Sequence, residues 1–182
     1  MTRLARRRVL TGLAAAPLAG FSLAAVLANP ELARAAAQGL EDVSLTTEGG
    51  KQVSAVLALP AEAPAPAVLL VHEWWGLNDQ IKAVAAELAR AGYLALAVDL
   101  YDGKVATTRD GARGLMQAVD GGEATDTVAS WIAWLRGHAK ASGKIGTIGW
   151  CFGGGWSSMP RSPRRWTRPW STTAGSTGRP RT

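Results

Sequence analysis

Two kinds of hydrophobic pattern organise this chain, continuous apolar runs and helically spaced apolar faces. Val43–Thr47 and Gln52–Leu59 are β-prone runs joined by Glu48-Gly49-Gly50-Lys51, where the glycine pair can supply the positive φ of a tight hairpin. Pro60–Pro66 reads as a loop, and Ala67–Val71 is a continuous apolar run of the sort a strand buried on both faces shows. It ends in His72-Glu73-Trp74-Trp75-Gly76. Ile81, Val84, Ala85, Leu88 and Ala89 then follow helical spacing, with Asn78 as N-cap, Asp79 in the first turn and Gly92 as the stop. Tyr93–Val98 is a second buried strand, ending in Asp99–Asp102. The polar stretch Gly103–Gly122 predicts loop and a modest helix around Gly111–Val119. Val128, Trp131, Ile132 and Leu135 mark one face of a helix over about Glu123–His138, and Lys144–Trp150 is a third strand. A hairpin followed by β-α-β-α-β predicts an α/β fold with a doubly wound, mostly parallel sheet. A ligand then belongs at the strand carboxyl ends, where Glu73, Asp99 and Cys151 fall.

The third strand delivers Gly149-Trp150-Cys151-Phe152-Gly153-Gly154. This is the layout of a nucleophile elbow, in which a strand turns sharply into a helix and small residues flank the nucleophile because a Cβ there would clash. Cys151 is the single cysteine, so no internal disulfide forms. Its neighbours exclude other chemistries. His72-Glu73 starts a zinc-type H-E-x-x-H, but Gly76 stands where the second histidine is needed. The glycines after Cys151 lack the lysine and hydroxyl of a phosphate loop, so nucleotide binding is rejected. His72 is read as structural, and His138 as a solvated residue at a helix end.

Three segments in order carry a resemblance: Glu73-Trp74-Trp75-Gly76-Leu77-Asn78, Asp99-Leu100-Tyr101, and Gly149–Gly154. Over about residues 40–156 the chain resembles a dienelactone hydrolase of the α/β-hydrolase superfamily. The resemblance implies a Cys-His-Asp triad that opens lactone or ester bonds on a small-molecule substrate, without metal or organic cofactor. It makes Cys151 the nucleophile and Glu73 the carboxylate that pairs with the thiol at rest and helps generate the thiolate. It assigns the oxyanion hole to the backbone N–H groups of Trp74 and Phe152. Trp74, Trp75 and Trp150 are expected to wall the pocket for a ring-shaped substrate. Oligomeric state stays open.

Charge changes the picture at both ends. The net charge is +6 over 182 residues. The first 36 residues carry five arginines and one glutamate, and residues 157–182 carry six arginines and no acid. The interval 37–156 holds nine basic and thirteen acidic residues, so the core is acidic and no nucleic-acid partner is expected. Arg6-Arg7-Arg8-Val9-Leu10, the apolar run Val9–Ala28 and Ala33-Arg34-Ala35 read as a twin-arginine-type export signal over residues 1–36. The expectation is export by the corresponding machinery to the periplasm or exterior, with an uncleaved membrane anchor as the alternative. A weaker third reading uses both arginine-rich ends on anionic lipid.

After Cys151 the sequence has no Asp, Glu or His, although α/β-hydrolases take their acid and histidine from that side. Residues 157–182 are rich in Arg, Pro, Ser and Thr and contain no Leu, Ile or Val. The expectation is a hydrolase domain over 37–156, incomplete at the C-terminus, with a shift of reading frame just after Trp156. The alternative for the tail is a genuine disordered basic segment. The alternative for function is a catalytically dead remnant lacking the triad Asp and His.

Overall fold

Strand β4 (Leu94–Val98) shows how this sequence builds its layers, because all five of its residues are buried and alternate in size. Side chains alternate between the faces of a strand, so Leu94, Leu96 and Val98 line one face while Ala95 and Ala97 line the other. The large face packs under helix α5 (Gly121–Gly137) through Val128, Trp131, Ile132 and Leu135. The alanine face lies under helix α3 (Asp79–Arg90), which brings down Ile81, Val84, Ala85 and Ala89. The structure, a computed structural model, describes residues 23–158.

The five strands β1 (Glu41–Thr46), β2 (Gln52–Ala58), β3 (Ala65–Val71), β4 and β5 (Ala141–Gly149) form one mixed sheet in the order β1-β2-β4-β3-β5. β3, β4 and β5 are mutually parallel, with Leu69 opposite Leu96 on one side and Thr147 on the other. The hairpin β1–β2 is not a separate unit. It extends the sheet by pairing β2 antiparallel to β4, Ala55 opposite Val98. Of the two hairpin glycines only Gly50 has positive φ (85°). Gly49 serves differently, donating its N–H to Asp126 Oδ2 of α5 at 2.9 Å.

The helix signals resolve into real caps. Asn78 Oδ1 accepts from Ile81 N at 3.1 Å, and Asp120 Oδ1 from Glu123 N at 2.9 Å, each satisfying one of the donors a helix start leaves over. Helix α4 (Arg109–Ala118) is capped by Thr108, and helix α6 (Phe152–Ser157) follows β5. β5 starts three residues earlier than the apolar pattern predicts, with a register shift against β3 and positive φ at Gly143.

Residues 23–36, placed in the export segment by sequence, fall in helices α1 (Leu23–Ala28) and α2 (Pro30–Ala37). Both pack on α3: Val26, Ala33 and Ala83 form a small buried cluster, and Gln80 Nε2 donates to the Leu27 carbonyl at 3.0 Å. Ala33-Arg34-Ala35 lies within α2. The twin-arginine motif, most of the apolar run and the basic tail beyond Ser158 lie outside the described residues.

Candidate active site

β5 ends at Gly149, and two residues later Cys151 holds φ 55° and ψ −125° before α6 begins. A non-glycine residue in that region is strained and persists only where its surroundings dictate it. The surroundings are backbone. A Cβ on Gly149 would run into the Gly153 carbonyl, and one on Gly153 into the carbonyls of Val71 and His72 at the end of β3. The flanking glycines therefore let α6 settle onto the strand ends, and Thr147 Oγ1 ties its far end by donating to the Ser157 carbonyl at 2.6 Å. The thiol of Cys151 is exposed at the tip of this turn.

Beside it, β3 runs out into the turn that carries Glu73, Trp74 and Trp75. Gly76 closes the turn at φ 97°, donating its N–H to the Glu73 carbonyl at 3.2 Å; a side chain there would strike the Lys104 carbonyl. Ala106 N donates to the Trp75 carbonyl at 2.9 Å, which anchors the turn to the loop after β4. Among the described residues neither the Trp74 N–H nor the Phe152 N–H has an internal acceptor. Phe152 opens α6, where a helix leaves its first donors free. Trp74 and Trp75 pack edge to face at 5.1 Å, while Trp150 packs on the α3 side of the core.

His72 is fully buried beneath this arrangement. Its Nδ1 lies 2.6 Å from the Glu73 carbonyl and its Nε2 accepts from Leu100 N at 3.1 Å. A carbonyl only accepts and an amide N–H only donates, so the ring is neutral with its proton on Nδ1. Burial pushes the His72 pKa down, against smaller upward pulls from the Glu73 carbonyl and the Asp99 charge. A depressed folded-state pKa means that the unfolded chain takes up this proton first. Stability is therefore full above the ordinary histidine value near 6.5 and falls as pH drops below it, by at most about 1.4 kcal/mol per unit. Urea unfolding of wild type and His72→Asn between pH about 7.5 and about 5 checks this; the wild-type curve should lose more over that range.

Asp99, grouped with Glu73 and Cys151 at the strand ends, is occupied in building the turn after β4. Its Oδ1 accepts from Tyr101 N at 2.8 Å and its Oδ2 from Gly103 N at 2.5 Å. Those bonds place Tyr101. Its ring is 4.6 Å from His72 and 5.4 Å from Phe152, and its buried hydroxyl has no partner among the described residues. Burial, and secondarily the charge of Cys151, push the phenol pKa upward, so Tyr101 is neutral. A cavity of about 180 Å³ lies on the far side of Tyr101, bounded by Lys51, Asp102, Asp120 and Glu123 rather than by Cys151. Lys51 already pairs there with Glu123 at 2.9 Å and Asp102 at 3.3 Å. His138 caps the other end of α5, its ring 4.7 Å from Trp134 and its Nδ1 accepting from Lys140 N. That puts it about one strand length, roughly 30 Å, from Cys151.

Thus β3, β5 and α6 bring Cys151, Glu73 and the two free N–H groups to the carboxyl ends of neighbouring parallel strands, with no hydrogen bond between Glu73 and Cys151 among the described residues, and Asp99 and both histidines have other work. The chain is similar to a carboxymethylenebutenolidase of Pseudomonas putida, with 29% identity over 123 residues, 63% of this chain and 52% of that protein. It is also similar to a Methylorubrum extorquens protein described provisionally by the same name, with 36% identity over 166 residues, 84% of this chain and 55% of the other. The chain thus spans about half the length of the curated relatives it matches. Among solved structures it resembles one titled m3DLH, with TM-score 0.56 and 26% identity over 65% of this chain and 52% of that one. A dienelactone hydrolase-like phosphotriesterase from metagenomic libraries shares the fold, with TM-score 0.55 and 24% identity over 65% of this chain and 52% of that one. The profile of the dienelactone hydrolase family matches residues 53–163, and the chain belongs to that family.

Proposed function

We propose that this chain transfers an acyl group from a small lactone or carboxylic ester to Cys151. The observation that carries the reading is the strained backbone of Cys151 at a strand-to-helix turn, beside two backbone N–H groups without internal acceptors. The Cys151 thiolate attacks the ester carbonyl, and a C–S bond forms as the carbonyl electrons move onto oxygen. The Trp74 and Phe152 N–H groups receive that oxyanion; pre-aimed donors of this kind lower such barriers by about 3–4 kcal/mol each. Collapse breaks the C–O bond and expels the alkoxide, which in a lactone stays attached to the acyl group. Glu73, half-buried at the head of the same turn, is the carboxylate that takes the proton of the resting thiol as the thiolate forms, and solvent protonates the departing alkoxide.

A second reading is favoured by the two described histidines. His72 has both nitrogens committed, and His138 is at the opposite end of the sheet. The described residues therefore equip acylation and hold no histidine base for hydrolysing the thioester, as in a remnant that reacts once without turning over. p-Nitrophenyl acetate tests the first step. The expected result is a burst of one p-nitrophenolate per chain, with the acetyl group mapped by peptide mass to Cys151. No burst, or acetylation confined to lysines, overturns acyl transfer; a steady rate after the burst overturns the single-turnover reading.

A further inference from the structure

We propose that His72 is the positioning residue of the oxyanion hole, acting on both of its backbone donors. The inference rests on the acyl-transfer reading and extends it to a side chain that touches no substrate. The Glu73 carbonyl is held from two sides, by His72 Nδ1–H at 2.6 Å and by Gly76 N–H at 3.2 Å. The Glu73–Trp74 peptide is trans, Ala63–Pro64 being the one cis bond among the described residues. In a trans peptide C=O and N–H point in opposite directions, so pinning the carbonyl toward the buried imidazole turns the Trp74 N–H away from it. The donor then faces outward at the strand ends and cannot rotate without breaking both bonds.

The same ring supports the second donor. Phe152 stacks on His72 with centroids 5.7 Å apart and planes at 19°. One residue on, Gly153 sits so close to the Val71 and His72 carbonyls that no side chain fits between. The first turn of α6, which presents the Phe152 N–H, therefore rests on His72 through ring and main chain. The imidazole is itself oriented by Leu100 N–H at Nε2 and by the Tyr101 ring edge. A hydrophobic residue of equal volume would fill the space but would release the Glu73 carbonyl.

The test compares two reactions of Cys151 in the full chain. Acylation by p-nitrophenyl acetate develops an oxyanion, whereas alkylation by iodoacetamide needs only the thiolate. His72→Phe keeps a ring and loses the donor, and it should slow acylation about 100-fold, the scale of losing one oxyanion donor. His72→Asn places an amide N–H where Nδ1–H was but gives up the ring beneath Phe152, so it should slow acylation by about 10-fold, well short of the loss in His72→Phe. Alkylation should change by no more than about twofold in either variant, since thiolate access is unaltered. Equal acylation in His72→Phe, or acylation and alkylation falling together in the Asn variant as well, overturns the positioning role. A wild-type chain that alkylates but gives no burst overturns the acyl-transfer reading beneath it. Should His72→Phe fail to fold, ¹⁵N NMR of the wild-type ring decides: protonation at Nδ1 supports the proposal and protonation at Nε2 overturns it.

Discussion

Gly153→Ala is expected to abolish Cys151 acylation and to lower the unfolding free energy by about 3 kcal/mol, at the upper end of overpacking costs. The cause is backbone against backbone. The new methyl would meet the carbonyls of Val71 and His72, and neither can yield without breaking the end of β3 from which Glu73 and Trp74 emerge. α6 must lift instead, taking the Phe152 N–H and the Cys151 geometry with it. Gly154→Ala is the internal control, because its Cβ would find nothing nearer than the Gly149 carbonyl at 3.6 Å. In a helix that change is neutral or stabilising, by up to about 1 kcal/mol. Urea unfolding and the p-nitrophenolate burst of the two variants check the pair. Similar behaviour of Gly153→Ala and Gly154→Ala would show that close approach at the elbow does not control the site.

Trp131→Ala is expected to cost about 3–5 kcal/mol, the range for removing a fully buried aromatic residue. Trp131 has no exposed surface, packs edge to face on Trp134 at 5.5 Å, and joins α5 to the leucine face of the sheet. Its indole N–H has no hydrogen-bond partner among the described residues, so the residue contributes through volume alone. Trp131→Phe should therefore lose less than half as much, since it keeps a ring and removes an unpaired buried donor. Equal losses in the two variants, measured by urea unfolding, would contradict that account.

Several parts of the molecule were legible from residue types because their causes are local. Asn78 caps α3 as expected since its short amide reaches Ile81 N within one turn. The spacing of Val128, Trp131, Ile132 and Leu135 marks the buried face of α5 because a helix returns to one side every 3.6 residues. The elbow was readable because only glycine fits at Gly149 and Gly153. Other features depend on partners distant in sequence. The pairing of β2 with β4 could not be read from either strand, because both are apolar and compatible with several neighbours. Asp99 looked like a site carboxylate by its place after a strand. Its two bonds to Tyr101 N and Gly103 N, which the spacing alone does not disclose, make it a turn-builder. Tyr101 was visible only as the last letter of Asp-Leu-Tyr, and the fold set its ring between His72 and Phe152.

The sequence by itself determined the family, the order of strands and helices from β1 to β5, and the glycine-flanked turn that carries Cys151. Each of these is written in short-range spacing and in residue types that tolerate only one backbone. Tertiary structure alone decided which strands are neighbours, what holds the Glu73–Trp74 peptide, and which partners occupy the two nitrogens of His72, a residue the sequence already marks as structural. Those outcomes depend on bonds from His72 to Glu73 and across 28 residues to Leu100, and on α6 coming to rest over β3. Contacts between elements far apart in the chain form only when the sheet assembles, so no local pattern records them.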